Sequence, residues 1–359
     1  MRLRIFYAAD SSPNPDFASQ LWRTNLHDSL VSLGHEVIEF RYDLAATFRH
    51  LDPARPEAAA FIAENRPRLG EALLAQIRAA HAEKPLQVFF SYFYDACAEP
   101  GVIDAIRALG IVTVNWFCNA SYQLHLVSQL APHYDWCLVP ERFRLADYRA
   151  LGARPIYCQE AANPRIYKPA NVPLEFDIAF AGQCYADRPD LVLWLRAQEF
   201  DVHVWGARWE YHVSPPSRNP LRRWFSSPSG LPARAVGGVL SDAALVKLYS
   251  KARINLGFAA VGEAQAGPRL TQVRLRDFEV PMSGGFYLTE HSDELADFFT
   301  PGVEIETWKT REELAEKCRY YLAHDDARRA IAAAGRARAL REHTWEHRFQ
   351  TAFAAMGLA

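Results

Sequence analysis

Apolar residues fall in short runs along this chain, separated by longer stretches with a helical period. Residues 4–8 read as a buried strand, followed by a polar turn with two prolines. Next comes a helix with Trp22, Leu26, Leu30 and Leu33 on one face, closed by Gly34. A strand over 36–42 completes a βαβ unit, whose crossover is expected to be right-handed. The rhythm continues with a helix over 56–84 interrupted at Pro67, then a strand over 86–94. A helix opened by Pro100 and closed by Gly110 leads to a strand at 111–117. A helix through His125 and Leu130, a strand at 135–139, a helix at 141–151 and a strand at 155–159 end this half. Strands alternating with helices in this way predict a parallel sheet covered on both faces.

A proline-rich stretch, 160–176, breaks the rhythm and reads as a linker. A second series follows. Strands are expected at 177–181, 202–205, 252–258, 286–289 and 303–306. The helices between them run over 189–198 and from Ser241, a good N-cap, to 249. Thr310 and Glu313 form a capping box for a further helix, a long one covers 326–341, and the last starts near Thr344. The fold class is therefore α/β with two Rossmann-like domains, divided as 1–168 and 169–344.

The densest chemistry lies in residues 269–290, RLTQVRLRDFEVPMSGGFYLTE. The pattern predicts a helix from near Arg269, a glycine stop at Gly284 and Gly285, and a buried strand. Pro281 weakens the helix, because its ring removes a hydrogen bond. A helix N-terminus flanked by Arg274 and Arg276 suits an anion such as a diphosphate. Glu279 would accept hydrogen bonds from a sugar or ribose hydroxyl pair. The competing readings are a surface helix of alternating charge, and an Arg276 paired with Asp277 or a helix neighbour. Gly182 lets backbone approach a ligand, with Arg188 placed to meet a phosphate.

Parallel α/β sheets bind ligands at the carboxyl ends of their strands. In the first half this picks out loops starting at Asp10, Asp95 and Asn119. Asp10 and then Asp95 are candidate bases for an acceptor hydroxyl, and each is equally a turn residue. An insertion at 212–238 carries Arg218, Arg222, Arg223, Trp224, Phe225 and Arg234. It is either an acceptor contact or a solvated loop.

Composition narrows the options. Half the 359 residues are apolar and 23% are charged, an ordinary globular mixture. The net charge of −2 gives no field to recruit nucleic acid or an anionic membrane. Six cysteines without a C-x-x-C pair suggest neither a zinc knuckle nor a disulfide framework, which fits the cytosol. No eighteen apolar residues run together, so no membrane span is expected. The histidines lack ligand spacing and no D-x-D is convincing, so neither a metal nor a cofactor is expected. Neither G-x-G-x-x-G nor G-x-x-x-x-G-K occurs.

Several segments together resemble a known family. They are DIAFAGQ with its downstream Arg188, VLSDAALVKLYSKARINLGF, QVRLRDFEVPMSGGFYLTE, GVEI, KCRYYL, AAAG and HTWEHR. They are similar to the C-terminal domain of CgeB-type glycosyltransferases, across about 177–348. LGHEV at 33–37 and NPRIYKP at 163–169 resemble the looser partner domain of the GT-B fold and its exit. The resemblance implies two Rossmann-like domains facing a central cleft, with the terminal segment 345–359 crossing back to the first. It implies a nucleotide-sugar donor as co-substrate, an unidentified acceptor and no metal. The donor set would be Gly182, Gln183, Arg188, Gln272, Arg274, Arg276, Glu279 and Gly284. Glu279 matches the second glutamate of the Glu-seven-residues-Glu signature of retaining enzymes, and Thr271 stands where the first is expected. A GT-B-fold nucleotide-sugar epimerase and a non-catalytic sugar- or nucleotide-binding protein are the alternatives.

Overall fold

The computed structural model describes residues 2–10, 20–214, 230–261 and 270–358. The chain forms two compact units. One comprises the N-terminal part up to Glu160 together with residues 345–359; the other runs over 161–344.

In the first unit, β1 (Arg4–Ala8), β2 (Glu36–Glu39), β3 (Val88–Ser91), β4 (Val112–Trp116), β5 (Trp136–Val139) and β6 (Pro155–Tyr157) make one sheet. Their order is β2-β1-β3-β4-β5-β6 and every pairing is parallel. Ile5, Phe6, Phe89, Phe90 and Val114 are buried, as strands covered on both faces require. The helix Trp345–Ala355 packs here, with Trp345 5.2 Å from the Trp116 ring and Phe349 5.6 Å from Phe90.

In the second unit, β7 (Phe176–Ala181), β8 (Val202–Trp205), β9 (Val236–Gly237), β10 (Ala252–Gly257), β11 (Tyr287–Glu290) and β12 (Glu306–Trp308) form another parallel sheet. Its order is β12-β11-β10-β7-β8-β9. Ile178, Phe180, Val202, Val204, Ile254 and Leu256 form its core. The strand order reverses between β7 and β10, so their outgoing connections diverge and leave a crevice at their carboxyl ends. In the first sheet the reversal falls between β1 and β3.

The structure departs from the sequence reading at several elements. The helix Pro56–Glu83 runs through Pro67 without interruption, because Leu69, Gly70, Leu73 and Ile77 beyond the ring are buried and hold the next turns. The expected helix through His125 and Leu130 is only the turn Ala120–Gln123 and short 3-10 segments. The strand placed at 303–306 begins at Glu306, after a turn. The linker is ordered against the second unit, where Ala170 N–H donates to Ser250 Oγ at 2.9 Å and Glu175 N–H to Lys251 O at 2.8 Å.

Candidate anion site at the ends of β7 and β10

The helix expected from near Arg269 begins at Leu275 instead, with Arg274 as its N-cap residue. Arg269 lies outside the described residues. Residues 270–272 lie back along the end of β10: Val261 N–H donates to Leu270 O, and Gln272 N–H to Ala259 O, both at 3.0 Å. A two-residue antiparallel bridge therefore precedes the helix, and it carries Gln272 to the strand end. The helix Leu275–Met282 is then held by its cap. Asp277 Oδ2 accepts from Arg274 N–H at 2.8 Å, which satisfies a donor that the helix leaves free.

Arg188 opens the helix Arg188–Ala197 after β7 and is only 3% exposed. Its Nη1 donates to Gln183 O at 2.9 Å and its Nη2 to the Tyr185 hydroxyl at 2.7 Å. The Arg188 pKa is pulled down to about 9, chiefly by burial, with the positive charges of Arg274 and Arg276 acting in the same direction. Arg274 donates through Nη2 to Ala260 O, at the end of β10. The Arg274 guanidinium also lies 5.9 Å from the Tyr185 ring. The Nε–H groups of Arg188, Arg274 and Arg276 are all buried with no hydrogen-bond partner among the described residues. Buried donors of this kind are costly unless something accepts from them. Arg274 and Arg276 each lie near enough to act on the Arg188 charge, and guanidiniums so gathered, each with an open donor, suit a multiply charged anion.

Two carboxylates temper the cluster. Glu279 is 3% exposed and accepts from the Tyr249 hydroxyl at 3.2 Å and from the Tyr167 side chain. Burial raises its pKa, and Arg276 opposes the rise. Burial also works against the Arg276 charge, but the carboxylate of Glu279 opposes it and the Arg276 pKa is raised. Asp277 is pushed up to about 6 by burial, against the pull of the Tyr287 hydroxyl that it accepts from at 2.6 Å. Arg276 thus has Glu279 as a neighbour on its own helix, and its charge also acts on Asp277. Tyr167, Tyr185 and Tyr249 escaped the sequence reading. Asp277 entered it only as a partner for Arg276; its three-residue spacing from Arg274 signalled the cap, and the misplaced helix start hid it.

The remaining donor residues fall differently. Gly182 closes β7, but its N–H donates to Trp205 O and its carbonyl accepts from Trp209 Nε1, both at 2.7 Å. A Cβ there would lie 2.5 Å from Phe180, so the glycine serves close packing. Gln183 contributes its carbonyl to Arg188. Gly284, with φ of +74°, ends the helix Leu275–Met282, at the opposite end from Arg274 and against Pro169. The structure therefore makes it a helix stop, away from the arginines.

In the first unit, Asp10 follows β1 at the strand reversal and is half-buried. Asp95 is 8% exposed, and its two carboxylate oxygens accept from Gln129 N–H at 3.1 Å and Leu130 N–H at 2.9 Å. Both oxygens are committed to backbone, the turn role that competed with a base. Of the basic insertion, Arg218, Arg222, Arg223, Trp224 and Phe225 lie outside the described residues, and Arg234 is exposed. Among the described residues no group of three or more His, Cys, Asp or Glu is gathered as for a metal. No helix among them is long and apolar enough to cross a membrane.

Comparison with known proteins bears on these arrangements. Residues 188–354 match the family model described as glycosyl transferase-like. No curated protein sequence matches the chain. Among solved structures it is similar to a sucrose-phosphate synthase from Thermosynechococcus elongatus, at 15% identity over 99% of both chains, with a TM-score of 0.61. The HepE protein of Anabaena, solved with UDP, is 10% identical over 100% of both chains, with a TM-score of 0.60; it was also solved with UDP-glucose. A Listeria monocytogenes protein, titled a putative UDP-N-acetylglucosamine 2-epimerase, is 10% identical over 99% of this chain and 96% of its own, at 0.54. The chain has the GT-B fold, and its residues 188–354 carry a glycosyl transferase-like domain.

Proposed function

We propose that this protein is a CgeB-type, metal-independent glycosyltransferase that moves a sugar from a nucleoside-diphosphate donor to an acceptor. The observation that carries the reading is the gathering of Arg188, Arg274 and Arg276 at the reversal between β7 and β10, with three buried Nε–H groups lacking acceptors. Likeness to a fold seen with UDP and UDP-glucose supports a donor of that class. The guanidiniums would neutralise the departing diphosphate as charge develops on it, in a site too dry for water to do so. Glu279, oriented by Tyr167 and Tyr249, would hold a hydroxyl pair of the donor. If the reaction inverts configuration, Asp10 is the base we favour, on its position after β1 at the strand reversal of the first sheet.

A panel of nucleotide sugars screened by thermal shift tests the reading, because a ligand that binds only the folded state raises the melting temperature. At least one donor should raise it, and nucleoside diphosphate should be released once an acceptor is supplied. Turnover should persist in excess EDTA; its loss would return the diphosphate to a metal. An epimerised free nucleotide sugar, formed without acceptor, would instead favour the epimerase reading, which the Listeria likeness keeps open.

A further inference from the structure

Tyr185 stands beside two of the three guanidiniums. Its ring lies 3.8 Å from the Arg188 guanidinium carbon and 5.9 Å from that of Arg274. Its hydroxyl accepts from Arg188 Nη2 at 2.7 Å. The opposing packing on Arg188 is aromatic as well, with Phe180 at 5.3 Å and Phe258 at 6.0 Å.

Like charges held in a buried site repel, and an aromatic face is the one apolar surface that attracts a cation.

We propose that Tyr185 is the positioning residue of the anion site, its ring fixing Arg188 and Arg274 at the separation that grips two linked phosphates. This rests on the donor reading above. The ring supplies the position. The hydroxyl occupies one Arg188 donor and leaves Nε–H open toward the ligand. Diphosphates depend on this spacing, because two guanidiniums must address two phosphates at once. A monophosphate does not.

The test compares UDP with UMP by calorimetry, in wild type and in Tyr185→Phe, Tyr185→Leu and Tyr185→Gln. Tyr185 is half-buried on a loop, and two non-aromatic variants guard against one that fails to fold. Wild type should prefer UDP. Tyr185→Phe keeps the ring and should bind UDP within about threefold of wild type, as a stacked guanidinium requires no hydroxyl. Tyr185→Leu and Tyr185→Gln should lose about tenfold or more in UDP affinity, the scale of one charged contact, and under about threefold for UMP. That selective collapse of the UDP-to-UMP ratio is not expected of a residue that merely supports the loop, which would weaken both ligands alike. If wild type prefers UDP and the non-aromatic variants keep its ratio, the Tyr185 proposal is overturned and the donor site stands. If wild type binds neither UDP nor any other nucleoside diphosphate, the donor reading falls and takes this inference with it.

Discussion

Arg188 shows how one side chain sets stability against binding. Its folded-state pKa of about 9 lies below the usual arginine value, so its charged form costs stability at neutral pH. That cost fades only as the pH rises above about 9, where the folded state can release the proton. Arg188→Met should therefore leave the ligand-free melting temperature unchanged or raised, while abolishing the rise caused by a nucleoside diphosphate. A variant that unfolds at lower temperature yet still responds fully to the ligand would mean that Arg188 is structural. Arg274→Lys should also weaken binding, because an ammonium cannot grip two oxygens with a planar fork. The arginines were legible in the sequence because their residue type announces the chemistry. The tyrosines were not, since an aromatic residue looks the same in a sequence whether it fills a core or stacks on a cation.

At the scale of one element, the helix Leu275–Met282 joins the site to the core. Asp277 ties its first turn to Arg274, and Gly284 ends it in a left-handed conformation. Placing a Cβ at Gly284 strains the backbone and brings the new atom within 3.0 Å of Pro169 Cγ. Gly284→Ala should cost about 1–2 kcal/mol of stability and leave donor affinity unchanged, measured by urea denaturation and calorimetry. A loss of affinity would restore this glycine to the ligand.

Asp277 gives the same helix a pH dependence. Its pKa is raised to about 6, so the folded state takes up a proton before the unfolded chain does. Its contribution to stability should therefore grow as pH falls from about 6 to 4, by on the order of 2 kcal/mol. Asp277→Asn should remove that part of the slope. Identical pH profiles for the two proteins would show that Asp277 titrates normally. The glycine stop was readable because Gly after a periodic run has a single geometric reason. The helix start was not, because the backbone pairing of 270–272 with 259–261 is long-range and leaves no local signature.

Over the whole chain, the alternation of strands and helices sufficed for two parallel sheets, because buried parallel strands must be continuous apolar runs and their crossovers must be helical. The strand order, and with it the reversal between β7 and β10, follows from packing between distant segments and could not be read along the chain. Short connections such as 120–133 were misread as helix because their apolar residues serve the core without a sustained period. The central claim is that Arg188, Arg274 and Arg276 together form a diphosphate site. Its most direct test is a calorimetric titration of nucleoside diphosphate into wild type, Arg188→Met and Arg274→Ala. The account predicts saturable binding to wild type at a single site, weakened tenfold or more, or about 1.4 kcal/mol, by either substitution. Wild-type affinity in both variants would contradict it.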